Sequence, residues 1–526
     1  MLSRRQLIQG AGAAAALAAT ASVSTSWPRL ALARGLLTDY TLDEVTARAL
    51  AAAKAAGATY ADIRIVRRVS ESLQTREDHV TGVGSSDSYG FGVRVIAGGA
   101  WGFAASARVD GAEAERVARL AVDIAKANAK VVRRPVVLAP VKAVTAAWQT
   151  PLTLDPFKIP LAEKAAFLLA INADVMAVPG VKFCTSSFDA LGEWKLLVTS
   201  EGSRIEQEIT RVEPGYSATA VDPKSGEFVS REHELPPSQA GWEYVEGSTL
   251  RADARKIGED AVAKLKAPGV TPGKRDLILA PTNLWLTIHE SVGHSTELDR
   301  ALGYEANLAG TSFATVDKLG KLRFGSDIVT LFADKTSPGG LASCGYDDDG
   351  VPTGRWDLVK KGLFVGYQTT REQAAWIKEP ASRGTSYAED FKSFPFQRMP
   401  NVSLAPGAAD KGVADLIAAT DDGIYITGNG SWSIDHQRYN FQFGGQMFYE
   451  IKKGKITRPL KDVAYQANSL DFWRSCDLIA GPREWLLGGT LGDGKGEPVQ
   501  SNGVSHGCSP ARFRKVNVLN TNTRGA

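Results

Sequence analysis

His289, Glu290 and His294 stand together in the segment HESVGH. Two neutral imidazoles and a carboxylate are what a catalytic zinc site requires: nitrogen ligands for the metal, and a base to take the proton from its water. The spacing departs from the familiar HExxH pattern, which sets both histidines on one helix face, because here they are five apart. On a regular helix such side chains diverge by roughly 140°. Both can reach one metal only if the helix bulges or unwinds locally, and Gly293 is the residue expected to permit that. A lone helical histidine is commonly a satisfied core or surface residue. This chain, however, has only six histidines, and two of them flank a glutamate in this pattern.

The elements that must position this segment follow from periodicity and punctuation. Thr41 with Glu44 forms a capping-box pattern, and the Ala-rich stretch after it closes at Gly57, as a helix does. Between residues 61 and 105 the pattern turns to strand-like alternation, with IRIVRRV, a turn near Glu77 and Asp78, GFGVRVI, a turn at Gly98 and Gly99, and AWGFAA. These are expected to be antiparallel neighbours. A second helix is expected over 110–128, a Pro-punctuated extended segment over 134–160 and a third helix over 162–177. The strands EWKLLVTS and SRIEQEIT, joined at Glu201 and Gly202, come next, and a helix over 250–265 closes this half. Two Pro-Gly pairs, Pro268-Gly269 and Pro272-Gly273, then mark a boundary. Beyond it lie a short strand, one helix carrying HESVGH, and many short strands punctuated by Gly and Asp. The expected class is α+β: an N-terminal domain over 36–267 with an antiparallel sheet and helices, and a mostly β domain over 274–526 carrying the metal-site helix.

Composition narrows the function classes. The 526 residues, 44% hydrophobic and 23% charged, suffice for two or more buried cores. The formal charge of +3 resides in the first 33 residues, which hold Arg4, Arg5 and Arg29 and no acid, so the remainder is balanced and offers no electrostatic case for nucleic acid. Those 33 residues read as an address. Arg4 and Arg5 in SRRQLI, an Ala/Gly-rich apolar run over 11–23 and a small-x-small site at Ala31-Leu32-Ala33 resemble a twin-arginine export signal, which makes the periplasm the expected destination. The run is too short to span a bilayer, and no later stretch is apolar enough to do so. Four cysteines, at 184, 344, 476 and 508, are too few and too scattered to staple the fold, and no CxxC pair exists for a structural zinc ribbon.

HESVGHSTELD resembles the HExxxH segment of the TldD/PmbA family of metallopeptidases, and the similarity extends over most of the chain after the leader. SESLQTREDHVTGVG with GFGVRV and AWGFAA resembles the family's N-terminal domain. DDDGVPTGRWDLVKKGLFVGY, RGTSYAEDF with FQRMPN, and GSWSIDHQRYNFQFGGQMFYEIKKGKIT resemble stretches of its C-terminal domain. The resemblance implies a zinc peptidase acting on peptides or unfolded polypeptide, with a two-domain fold that encloses the site on dimerising, as a homodimer or with a related subunit. The family's third ligand is a cysteine in a segment of the form CGKGQP. This chain reads DGKGEP, so Asp493 occupies that place. A His/His/Asp set is chemically adequate, and its harder oxygen ligand loosens the preference for Zn2+ over Mn2+, Co2+ or Fe2+. Equally, an Asp in a Gly-rich turn is ordinary, and the site can be degenerate.

His506 and Cys508, in VSHGCSP, are the next candidates for a third ligand, although the family carries a similar stretch beside its cysteine, which implies a structural or supporting role. Glu297 and Asp299 are placed to orient the imidazoles by accepting their free N–H groups. Arg398, His436 and Arg438 are candidates for binding substrate main chain or an oxyanion. His79 and His233, among charged neighbours, are expected to face solvent. The expected reaction is peptide hydrolysis by a metal-activated water with Glu290 as general base. The rivals are a metal-dependent hydrolase of another amide or ester, and a non-catalytic peptide-binding subunit that lost its site with the cysteine.

Overall fold

The computed structural model describes residues 39–522, and the leader expected over 1–33 lies outside them. Helix α1 (Asp39–Ala55) leads into three antiparallel strands, β1 (Tyr60–Arg76), β2 (His79–Ala97) and β3 (Ala100–Ser106). Both turns fall where expected. Gly98 and Gly99 each take a positive φ, of 62° and 77°, which is the two-residue turn that matches the twist of a hairpin. Helix α2 (Gly111–Asn128) is capped by the Asp110 carboxylate, which accepts from the Glu113 N–H. Within the extended segment, β4 (Thr145–Gln149) forms. Then come α3 (Leu161–Met176), β5 (Val181–Thr199), β6 (Arg204–Val221), β7 (Phe228–Glu232) and α4 (Ala254–Lys266).

The strands form one seven-stranded sheet in the order β3-β2-β1-β5-β6-β4, with β7 also on β6, and only the β4–β6 pair is parallel. Strand alternation splits its faces. Ile63, Ile65, Leu73, Phe188, Trp194 and Leu196 lie under the helices. Their neighbours Asp62, Arg64, Arg94, Glu193, Lys195 and Arg211 point the other way and are equally buried. That charged face packs on the C-terminal residues: Arg94 Nη2 lies 2.7 Å from Asp349 Oδ1, and Lys195 Nζ 3.1 Å from Asp348 Oδ2.

After the two Pro-Gly pairs, β8 (Gly273–Leu279) enters the middle of a nine-stranded sheet. It lies between Ala511–Asn520, antiparallel, and Asp422–Thr427, parallel. Helix α5 (Pro281–Ile288) follows at once. Two further strands matter to the site: β9 (Asn401–Leu404), in a four-stranded sheet, and the hairpin of β10 (Leu486–Lys495) with β11 (Gln500–Cys508). The fold is α+β with a mostly β C-terminal part, as expected. All four cysteines are free thiols, three of them buried. None of the described helices is long and apolar enough to cross a membrane.

Candidate metal centre

Pro281 opens α5 at its first turn, where the missing N–H costs nothing and the fixed φ suits a helix. From Leu284 to Arg300 every residue is buried, so the sequence LWLTIHESVGH, apolar around most of its circumference, is a core helix. Polar side chains within it are paired inward. Asn283 donates to the carbonyls of Gly428 and Gly444, and Trp473 Nε1 donates to Ser291 Oγ at 2.9 Å.

At His289 the helix changes pitch. His289–Gly293 is a π-helical turn, in which the His294 N–H donates to the His289 carbonyl, and a 3-10 turn, His294–Thr296, follows. This i to i+5 bond brings His294 over His289 on one side of the helix, removing the divergence a regular helix imposes; the rings meet edge to face at 77°, with centroids 4.6 Å apart. Gly293 contributes differently from the expectation. Its φ of −52° is ordinary right-handed helix, open to any residue. What it provides is room, since a Cβ there would stand 2.5 Å from Met399 Sδ.

Asp493 lies on β10 and not in a free turn. It is opposite Asn502, just beyond a register shift between Thr490 and Asp493 of the kind that re-aims a side chain. Its Oδ1 is 3.7 Å from His289 Nε2 and 3.6 Å from His294 Nε2, and all three residues are buried. Ligands roughly 2.0–2.1 Å from a tetrahedral zinc stand about 3.3 Å from one another, so the two His–Asp separations are close to what a metal would set, and all three ligand atoms lie within 4.8 Å of one another.

Two hydrogen-bond relays fix which ring nitrogens carry protons. The Val402 carbonyl on β9 can only accept, so His506 Nδ1, 2.9 Å away, is its donor. A neutral His506 then offers a lone pair at Nε2, which accepts a hydrogen bond from the His289 Nδ1–H at 2.8 Å. That leaves the His289 Nε2 lone pair facing Asp493. On the other side, His294 Nδ1 lies 3.0 Å from Glu297 Oε2, which can only accept, and 3.2 Å from Arg300 Nη2, which can only donate; the shorter carboxylate contact takes the Nδ1 hydrogen and frees His294 Nε2 in the same direction. Charge supports both assignments. Burial, aided by Arg438, pulls His289 down to about 3, and burial with Arg438 and Arg300 holds His294 well below the usual imidazole range. Burial works against the Glu297 anion, but Lys495 and Arg300 outweigh it and keep its carboxyl well below the usual carboxylate range.

Glu290 adjoins the trio, and its carboxylate is paired with Arg438. Burial pushes Glu290 up to about 7; Arg438 acts against this rise and Asp493 adds to it. A carboxyl near neutrality suits proton transfer.

The remaining sequence candidates divide. His506 and Glu297 are brought to the imidazoles as supporting partners. Asp299 touches neither ring and instead receives Lys495 Nζ at 2.9 Å. Cys508 is buried against the Pro281 carbonyl, 3.8 Å away and outside the trio; it shares the face of β11 that carries His506 but lies one pair farther from Asp493, among the apolar core. Arg398 is not a substrate-facing group: it is fully buried and donates to the Gln500 carbonyl and to both the carbonyl and the carboxylate of Asp493. The His436 ring is exposed, and its backbone carbonyl is what takes part, accepting from the Thr311 N–H at 2.8 Å. His79 is exposed, whereas His233 is buried at its side chain and bonded to Asp253, contrary to its expected solvent exposure. Sequence reasoning missed Lys495, Arg300 and Trp285, which stacks on His506 at 8°. Lys495, two residues from Asp493, shares its strand face, a relation that exists only once β10 is known to be a strand. A cavity of about 830 Å³ borders Trp285 and Thr490 but touches none of His289, Glu290, His294 and Asp493, so it adjoins the centre without containing it.

Sequence models of the PmbA/TldA metallopeptidases match the chain in three pieces: domain 1 over residues 61–125, the central domain over 154–267 and the C-terminal domain over 272–520. A metalloprotease of Methanocaldococcus jannaschii is 28% identical over 449 residues, which cover 85% of this chain and 95% of that one. A zinc metalloprotease TldD homolog of Saccharolobus solfataricus is 22% identical, covering 88% of this chain and 97% of its own. Among solved structures, a Thermotoga maritima protein described as a candidate modulator of a DNA gyrase superposes with a TM-score of 0.71. It has 17% identity and covers 91% of this chain and 100% of its own. TldE from Thermococcus kodakarensis gives 0.63 at 15% identity, covering 89% and 98%. At such identities the structural likenesses establish the fold alone. Taken with the three family matches and with relatives named metalloproteases along nearly their whole length, they leave one placement: the chain belongs to the PmbA/TldA metallopeptidase family and is a metal-dependent peptidase.

Proposed function

We propose that His289, His294 and Asp493 hold a divalent metal, zinc first among Zn2+, Mn2+, Co2+ and Fe2+, and that the chain uses it to hydrolyse peptides or unfolded polypeptide with Glu290 as general base. The observation that carries this reading is the convergence of two imidazole Nε2 lone pairs on Asp493 Oδ1 beside a carboxyl poised near neutrality. When bound, the metal supplies Lewis acidity, acidifying water and polarising a carbonyl oxygen. The chain's own residues do the rest. Glu290 in its ionised form takes a proton from the attacking water and delivers it to the leaving amine. Arg438, paired with Glu290, keeps the carboxylate oriented and favours its charged form. Arg398 fixes Asp493 through its backbone and carboxylate at once, so the oxygen ligand presents one oxygen to the imidazoles. The surrounding strands suit an extended peptide held by main-chain hydrogen bonds, which implies weak side-chain specificity.

Glu290→Gln tests this. The amide keeps shape and leaves the ligands alone, so the variant is expected to purify with parental metal content and no peptide turnover. Turnover in the metal-loaded variant removes Glu290 from the base role, and a parental protein that takes up no metal removes the centre itself. The same reading extends to the protein's setting: export through the twin-arginine leader and assembly as a homodimer or with a related subunit.

A further inference from the structure

The geometry points to Lys495 as a positioning residue for the metal, one that acts through Glu297 to aim the His294 lone pair. This rests on the reading of His289, His294 and Asp493 as ligands. The Lys495 side chain is fully buried, an environment a lysine tolerates only with its ammonium fully partnered. Nζ meets Glu297 Oε1 at 3.1 Å, Asp299 Oδ1 at 2.9 Å and the Gln397 carbonyl at 3.1 Å, and it also bonds the Gln397 side-chain oxygen.

Charge neutralisation alone does not account for this arrangement. Glu297 already has a cation of its own, Arg300, whose Nε donates to Oε2 at 3.0 Å, and Asp299 alone would balance Lys495. What Lys495 adds is a second anchor on the other oxygen of Glu297. With Oε1 held by Lys495 and Oε2 by Arg300, the carboxylate plane is fixed, and Oε2 is presented to His294 Nδ1. The ring then has one orientation, with Nε2 directed at Asp493. Asp493 and Lys495 also alternate onto one face of β10, so the hairpin register that delivers the oxygen ligand delivers this cation in the same step.

The test is metal affinity, measured on the full-length protein by competition with a chelator of known affinity for Zn2+. The absorption of the Co2+-loaded protein serves as a second readout of coordination geometry. Lys495→Met keeps length and removes the donor, and it is expected to weaken Zn2+ binding 10- to 100-fold, the usual effect of losing an outer partner of a ligand. Glu297→Gln is expected to do the same. Because the two act in series, the double variant binds no more weakly than the worse single. Lys495→Met leaves the buried Asp299 carboxylate without its ammonium partner, held only by the Arg300 N–H at 2.7 Å, so the decisive variant, should the single fail to fold, is Lys495→Met with Asp299→Asn, which removes one charge of each sign. It is expected to fold and to show the same loss. Parental Zn2+ affinity in either folded variant, or losses at 495 and 297 that multiply, overturns the assignment. A parental protein that binds no Zn2+ strikes the ligand trio instead, which separates the two failures.

Discussion

Glu290 is pulled in two directions, upward by burial and downward by Arg438, and burial prevails, leaving it at about 7. A base works in its ionised form, so activity is expected to rise with pH along an acid limb. A divalent cation beside Glu290 favours the carboxylate as Arg438 does, which sets that limb below about 7 and above the ordinary carboxylate range. A pH profile of kcat/KM for the metal-loaded enzyme checks this, and a profile flat from pH 5 to 8 would count against Glu290. Asp493 stands where the resembled segment CGKGQP carries a cysteine. Asp493→Ala is expected to lose most of the metal and all turnover, while Asp493→Cys keeps a metal and shifts preference toward zinc, since thiolate is the softer ligand. Full metal content in purified Asp493→Ala would show the ligand set to be wrong, and His506, already at the His289 ring, would be the next residue to replace. His289, Glu290 and His294 were legible because HESVGH is a local string with a chemical logic, whereas Asp493 came into view only through the resemblance of DGKGEP to the family segment CGKGQP. Lys495 was not, because in sequence a buried lysine looks like any surface lysine. Its burial depends on Glu297, Asp299 and Gln397, which lie about a hundred or more positions away.

The π turn at His289–Gly293 was foreseeable as a departure from α geometry, because five-residue spacing cannot serve one metal from a regular helix. The reason for its glycine was not foreseeable, since it depends on Met399, more than a hundred positions distant. Helix propensity favours alanine over glycine by about 1 kcal/mol, whereas overpacking a dense core costs about 1–3 kcal/mol. Gly293→Ala is therefore expected to destabilise the parent by about 1 kcal/mol, and in a Met399→Ala background the same change should become stabilising. Urea unfolding of the four proteins reads this directly, and a cycle with no coupling would place the strain elsewhere. Strand β10 escaped the sequence reading for a related reason: LLGGTLGDGK holds four glycines and reads as a loop. One of them, Gly488, is explained only by the fold, since a Cβ there would meet the Trp285 ring at 2.4 Å, beside His506.

At the scale of the whole molecule, the sequence pattern could not distinguish a face turned to water from one turned to a second set of strands. DIRIVRR alternates as a half-solvated strand does, yet Asp62, Arg64 and Arg94 are buried against the C-terminal residues. The leader proposed over residues 1–33 raises a separate question, because the twin-arginine route carries folded proteins and its receptor reads the arginine pair and not charge alone. Changing Arg4 and Arg5 to Lys is expected to hold the protein in the cytoplasm with its leader uncleaved, and processed protein in a periplasmic extract of that variant would point to another route. If export follows folding, the two halves must already be locked together, and buried ion pairs are part of the lock. Arg94 lies over the Trp101 ring at 4.5 Å, donates through Nε to Asp62 Oδ2 at 2.8 Å, and reaches across to Asp349 Oδ1 at 2.7 Å. Asp349→Ala strips half of the carboxylate partnership from a buried guanidinium, and breaking such pairs costs about 3–5 kcal/mol, less here to the extent that Asp62 remains. About 3 kcal/mol is expected, read as a fall in the urea midpoint. The partner change Arg94→Leu should cost a similar amount alone but add little in the Asp349→Ala background, giving a coupling of at least about 1 kcal/mol. Strictly additive losses would mean that Asp349 is held by the Arg371 N–H and its own loop, and that the sheet is fastened to the C-terminal residues elsewhere, at Lys195 with Asp348.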